Sequence, residues 1–267
     1  MRNQVLDLLK MINTEFGYDF LSYKIESVEK RISMFLVQEN FSSIAILKEE
    51  LLKDPRIFER LIAKISISVS TMFRDPVVYR LMQGKVLPIL ATYPRIRVWS
   101  AGTGSGEEAY SIAILLKEAN LYQRSLIYAT DINPMVLEKA HKGIYDLDRV
   151  SEFTSNYLTA GGRESFSKYY TTSNRYAQIA PELRDNIVFA THNLAQDSVF
   201  NEFHLIVCRN VLIYFNKVLK DRTLTLMSNS LCERGYLCLG SGEELRYSKV
   251  GLYFETLDKK NKLYRKY

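Results

Sequence analysis

Residues 97–111, RVWSAGTGSGEEAYS, constrain the fold more than any other stretch of the chain. An apolar run of strand character enters a turn containing Gly102, Gly104 and Gly106 and leaves directly into a helix that opens with Glu107 and Glu108. Alternate glycines let the backbone turn tightly and let a ligand approach it closely, as at the first crossover of a doubly wound sheet. The alternation continues downstream. SLIYATDI reads as a strand, NPMVLEKAHKGIY as a helix, NIVFATHNL as a strand and FHLIVCRNVLIYF as a strand running into a loop. A helix through LKDRTLTLMSNSLCERG and a strand GYLCLG follow. The pattern predicts an α/β fold with a mostly parallel, doubly wound sheet and helices on both faces. The stretch of about 150–183, with TAGGRESFSKYYTTSNRYAQIAP, is rich in Gly, Ser, Thr and Tyr and predicts a small inserted antiparallel β subdomain.

Residues 1–75 carry only helical periodicity. Val5, Leu8, Leu9, Ile12 and Phe16 share one helix face, and Ile25, Val28, Ile32 and Phe35 another. Ser42 or Ser43 can cap a third helix, and Asp54-Pro55 opens a fourth. The expected organisation is an N-terminal all-α domain over 1–75, a linking helix over 76–94 broken by Pro88 and Pro94, and an α/β domain over 95–267. Hydrophobic residues at 47% and charged residues at 25% exclude a disordered or fibrous chain. No apolar run reaches the roughly 18 residues of a membrane span, and the start lacks a signal-peptide core, so a cytoplasmic protein without membrane insertion is expected. Cys208, Cys232 and Cys238 offer no disulfide framework or metal-ligand spacing, so no metal is expected. The net charge of +6 permits a nucleic-acid partner without requiring one, and much of the excess lies in the tail LDKKNKLYRKY, which reads as a solvated basic end.

The charge of the glycine loop selects among ligands. A pyrophosphate at this helix start would face Glu107 and Glu108, the spacing is GxGxG rather than GxGxxG, and no Gly-Lys-Ser/Thr follows. S-adenosylmethionine carries a sulfonium and an ammonium and no phosphate, so an acidic loop suits it; the same glutamates also suit an ordinary first helical turn. Asp131, 24 residues beyond Glu107, ends the next strand where an acid reaches ribose hydroxyls, or it caps the helix that follows, a role Asn133 fills as well. Arg209 and Asn210 emerge where the strand HLIVC ends, with Tyr214 four residues on, either over a site or packed in the core. Asn193 can meet an adenine edge or serve a turn, and Arg74 in STMFRDP can enter an interdomain cleft or form a rim ion pair.

With these segments in order, the chain resembles the CheR family of chemotaxis-receptor protein-glutamate methyltransferases, which use S-adenosylmethionine. The resemblance runs through STMFRDP, WSAGTGSGEEAYSIA, ATDINPMVLEKAHKGIYD, the HNL step, CRNVLIYF and GYLCLGSGEEL, almost the whole length. It implies a helical domain on a doubly wound methyltransferase sheet with an inserted antiparallel subdomain. It implies cofactor contacts from Ser68, Ser70, Arg74, Gly102, Glu107, Asp131, Asn193, Leu194, Arg209 and Asn210, and places Arg74 and Tyr214 at the reaction centre. Ser68, Ser70 and Met72 stand where family members usually have Asn, Thr and a second Phe. The second helix, Arg-rich in the family and implicated in receptor docking, here carries Lys24, Lys30 and Arg31 against Glu26 and Glu29.

The expected reaction is methyl transfer to glutamate carboxylates of a protein, a methyl-accepting chemoreceptor, leaving a glutamyl methyl ester and S-adenosylhomocysteine. A glutamate, with an ordinary pKa of about 4.3, is ionised at neutral pH and needs no base, and none of His141, His192 and His204 stands in a motif that would supply one. The inserted subdomain can take an extended receptor tether at a strand edge or serve as a filled flap. The competing readings are a scaffold that binds the cofactor without turnover and a nucleic-acid methyltransferase. The latter is disfavoured because the fourth strand ends in Cys-Arg-Asn-Val rather than Asp/Asn-Pro-Pro-aromatic.

Overall fold

The computed structural model describes residues 1–66, 70–246 and 248–267. Four amphipathic helices come first: α1 (Arg2–Phe16), α2 (Ile25–Gln38), α3 (Ile44–Lys53) and α4 (Pro55–Ile65). Their starts follow from local chemistry. Ser43 accepts the Ile46 N–H, and Asp54 accepts that of Arg56 ahead of Pro55, whose missing donor is harmless in a first turn. The apolar stripes close on a core of their own around Leu8, Ile12, Phe20, Ile32 and Leu61. The run VVYRLMQGKVLPIL splits into α5 (Val77–Lys85) and α6 (Leu87–Leu90), with Pro88 in the first turn of the second helix.

The remaining elements are β1 (Ile96–Ala101), α7 (Glu107–Glu118), β2 (Ser125–Asp131), α8 (Pro134–Lys142), β3 (Ile144–Asp146), α9 (Val150–Thr159), β4 (Tyr170–Ser173), β5 (Tyr176–Ile179), β6 (Ile187–Thr191), β7 (Phe203–Cys208), α10 (Lys217–Ser230), β8 (Leu231–Leu239), β9 (Phe254–Asp258) and β10 (Leu263–Lys266). The main sheet has the order β6-β2-β1-β7-β8-β10-β9. It is parallel from β6 to β8, and β10 runs antiparallel to both its neighbours. Helices cover both faces, so the central strands are nearly continuous apolar runs: β7 buries every residue but His204. Winding reverses between β1 and β7, and the crevice outside their carboxyl ends is where open α/β sheets bind ligands.

Four local expectations change. The predicted helix NPMVLEKAHKGIY stops at Lys142, because Gly143 turns left-handed (φ +62°) and Ile144–Asp146 becomes β3. The small antiparallel sheet, of order β3-β5-β4, therefore begins before residue 150, and the insert also contains α9 with Phe153 and Tyr157 buried. The helix expected through LKDRTLTLMSNSLCERG ends at Ser230; Leu231 already pairs with Phe203, and the register then jumps so that Leu205 meets Tyr236, with Arg234 at φ +60° in the irregularity. The basic end is not a solvated tail. It forms the β9–β10 hairpin, buries Leu263 and Tyr264 in the sheet, and lets Lys266 donate to the Ser228 and Leu231 carbonyls at the end of α10.

Candidate active site

The glycine loop is shaped by close approach. At Gly102 (φ +75°) a Cβ would lie 2.4 Å from Val211 Cγ2, so only glycine lets the end of β1 pass the loop after β7. At Gly106 (φ +93°) a Cβ would meet that of Ala140 at 2.9 Å, which brings α7 against α8. Asp131 ties the loop to the end of β2: its carboxylate accepts the N–H of Gly104 at 2.9 Å and that of Asn133 at 3.0 Å. The cap of α8 is Asn133, whose side chain accepts from Met135, leaving Asp131 to face the crevice. Burial raises the Asp131 carboxyl above the ordinary carboxylate range, against the pull of those backbone donors.

Arg209 and Asn210 follow β7 into the crevice. The Arg209 guanidinium, almost wholly buried, donates to the Arg74 carbonyl at 2.8 Å and to Asp75 at 2.6 Å. Asp75, a candidate partner of Arg74, pairs with Arg209. Asn210 sits left-handed at φ +62°, and the loop after it is held by Glu243, whose carboxylate accepts the N–H groups of Asn210, Val211, Leu212, Ile213 and Gly240 at 2.6–3.3 Å. Sequence reading assigned Glu243 no role. The available signal was the repeat of GSGEE at 104–108 and 240–244.

The N-terminal domain closes the opposite wall. Tyr23 and Phe215 form an isolated antiparallel bridge, with Lys24 N donating to Tyr214 O at 2.8 Å and Asn216 N to Ser22 O at 3.0 Å. From α2, Arg31 caps the end of α4 at the Ile65 carbonyl and stacks 5.2 Å from the Tyr214 ring centre. The result is a cleft, open at its mouth, between the helical domain and the carboxyl edge of the sheet.

Ser70, Arg74, Gly102, Asp131, Leu194, Arg209, Asn210 and Tyr214 all line this cleft. Two expected contacts do not. Glu107 is fully buried away from it, paired with Arg149 at 2.8 Å and accepting from Ser105 at 2.7 Å. Its neighbour Glu108 takes the cleft wall instead, accepting from Ser100 at 3.0 Å with Arg209 at 3.9 Å; burial lifts its pKa to about 7, and Arg209 and Ser100 oppose that rise. Asn193 is an intramolecular turn residue, accepting from Ala195 N and donating to Gln196, while flanking His192 and Leu194 reach the cleft. Ser68 lies outside the described residues.

The cleft suits a polar, cationic guest. Thr71 Oγ1, Thr103 Oγ1, Arg209 Nε and Asn210 Oδ1 are buried on its wall without hydrogen-bond partners among the described residues, as befits a wall that meets a polar ligand. Asp131 and Glu108 place carboxyl groups beside the glycine loop, where a sulfonium and an ammonium are stabilised and a pyrophosphate is not. Among the described residues no helix is long and apolar enough to cross a membrane, and no cluster of His, Cys, Asp and Glu could hold a metal.

Comparison with known proteins agrees with this chemistry. The model of the CheR methyltransferase SAM-binding domain matches residues 68–262, and that of the CheR methyltransferase all-α domain matches residues 4–66. A Pseudomonas putida protein named Cher3 is 46% identical over 259 residues, 97% of this chain and 95% of its own length. The chemotaxis protein methyltransferase of Listeria innocua is 32% identical over 92% of this chain and 91% of its own, and that of Borreliella burgdorferi 30% identical over 93% and 90%. The chain therefore belongs to the CheR methyltransferases, with S-adenosylmethionine as its cofactor.

Proposed function

We propose that the protein methylates glutamate side-chain carboxylates of a cytoplasmic protein acceptor, a chemoreceptor signalling domain, leaving glutamyl methyl esters and S-adenosylhomocysteine. The observation that carries this reading is that one cleft holds both kinds of charge: the acidic pair Asp131 and Glu108 lines it together with the glycine loop, and the basic pair Arg74 and Arg31 lines it together with Tyr214, with Arg209 3.9 Å from Glu108. The first pair suits a cationic cofactor and the second an anionic acceptor. Bound S-adenosylmethionine supplies an electrophilic methyl group on a positively charged sulfur. The chain's task is alignment and exclusion of water: Asp131 and Asn210 hold the cofactor, while Arg74 and Tyr214 hold the acceptor carboxylate in line with the methyl group. No general base is needed for a carboxylate. His192 is poorly suited to be one, since its ring packs against Trp99 and Phe200 and burial lowers its pKa. A receptor tether would add to β4, an outer strand of the small sheet with Thr171, Thr172 and Ser173 exposed.

The test is transfer of labelled methyl from S-adenosylmethionine to recombinant chemoreceptor cytoplasmic fragments, read as base-labile methyl ester. Wild-type protein is expected to label glutamates, with Arg74→Ala and Tyr214→Phe slower by at least about tenfold. Near-normal turnover in both variants overturns the assignment of the reaction centre. Cofactor binding with no labelling of any receptor fragment favours the scaffold reading.

A further inference from the structure

Arg74 stands between two non-glycine residues in the left-handed region, Phe73 at φ +52° and Asp75 at φ +51°. Such conformations persist only where the surroundings over-determine them. Part of that constraint comes from the main sheet and α7: Arg209 binds the Arg74 carbonyl and the Asp75 carboxylate, and Ser111 Oγ accepts the Phe73 N–H at 2.9 Å.

The rest comes from the insert. Arg149, just before α9, donates one arm of its guanidinium to the Ser70 carbonyl and the other to Glu107 at 2.8 Å, while its Cζ lies 4.8 Å from the Phe153 ring centre. Asn156 donates to the Met72 carbonyl at 3.0 Å, and the Tyr157 ring meets Phe73 edge-on at 5.3 Å. Glu107 is fully buried, so the Arg149 fork is anchored in the protein interior rather than on a mobile surface. Neither Arg149 nor Asn156 lines the cleft. Both grip the backbone that presents Arg74 to it.

We infer that Arg149 and Asn156 are positioning residues for Arg74, through which the inserted subdomain forms part of the reaction centre as well as an outer surface. The inference rests on the assignment of Arg74 to that centre. The guanidinium reaches its two partners with separate nitrogens, Nη1 to Glu107 and Nη2 to the Ser70 carbonyl, a span that the single ammonium nitrogen of lysine lacks.

The experiment uses the full chain. Arg149→Lys keeps a cation beside Glu107 but gives up the fork, and Asn156→Ala removes the Met72 bond with Arg149 intact. Each is measured alone and in the Arg74→Ala background by thermal unfolding, calorimetric S-adenosylhomocysteine affinity, hydrogen exchange across residues 70–75, and single-turnover methyl transfer to a recombinant chemoreceptor cytoplasmic fragment. The expected single variants bind S-adenosylhomocysteine within about threefold of wild type, exchange the Phe73 amide about tenfold faster, and transfer methyl about tenfold more slowly. In the Arg74→Ala background neither substitution slows transfer further. Wild-type transfer rates in the single variants, or equal slowing with and without Arg74, overturn the inference. Should Arg149→Lys fail to fold, Asn156→Ala decides it. Wild-type transfer by Arg74→Ala alone refutes the reaction-centre assignment, and unchanged exchange at Phe73 separately refutes the grip of the insert.

Discussion

Replacing Glu108 by glutamine removes a carboxyl that burial holds at a pKa of about 7, against an ordinary 4.5. The folded protein without cofactor binds this proton more tightly than the unfolded chain does. As pH rises through 4.5 the unfolded chain ionises first, so the folded state loses relative stability until Glu108 itself ionises near 7. At about 1.36 kcal/mol per pH unit the interval amounts to about 3 kcal/mol, absent below pH 4.5 and fully expressed above 7. Glutamine imitates the protonated acid in shape and can still accept from Ser100, so Glu108→Gln carries no such term. Urea unfolding of both proteins without cofactor at pH 5, 6, 7 and 8 should show the variant gaining on wild type by about 3 kcal/mol across the range. A cofactor cation bound against Glu108 would reverse the preference, because it favours the ionised carboxylate. Calorimetry at pH 6 in buffers of different ionisation enthalpy should therefore show proton release on S-adenosylmethionine binding to wild type and not to Glu108→Gln. Unfolding curves that stay parallel with pH would refute the placement of Glu108 as a buried, protonatable wall of the cleft.

Gly102→Ala forces a Cβ to 2.4 Å from Val211 at φ +75°, so it should cost at least about 2 kcal/mol in urea unfolding and abolish calorimetric cofactor binding. Glu243→Ala strands five backbone donors at the turns after β7 and β8 and should cost at least about 3 kcal/mol, with faster hydrogen exchange at 210–213. Asp131→Asn keeps an acceptor for Gly104 but halves the carboxylate that lines the cleft, and a cofactor affinity loss of at least about tenfold is expected by calorimetry.

The sequence by itself determined the architecture, because its signals are local. Glycines at 102 and 106 sit where the backbone must turn left-handed, Asn133-Pro134 and Asp54-Pro55 cap their helices, and apolar strands alternate with amphipathic helices. Asp131, Arg209 and Asn210 were legible for the same reason: a polar residue ending an apolar strand emerges at the carboxyl edge of the sheet. What sequence left open depended on contacts between distant segments. Adjacent residues on a helix point about 100° apart, so only one of Glu107 and Glu108 can face the cleft, and the packing of α7 together with Arg149 gave that place to Glu108. Asn193 turned inward on its own loop because Ala195 and Gln196 satisfy its amide locally. The basic C-terminal segment reads as solvated until Leu263 and Tyr264 find the open edge of β8, a pairing that no local propensity encodes. The same holds for Arg149, which lies 79 residues from Ser70 along the chain and meets it only because the insert folds back over α7.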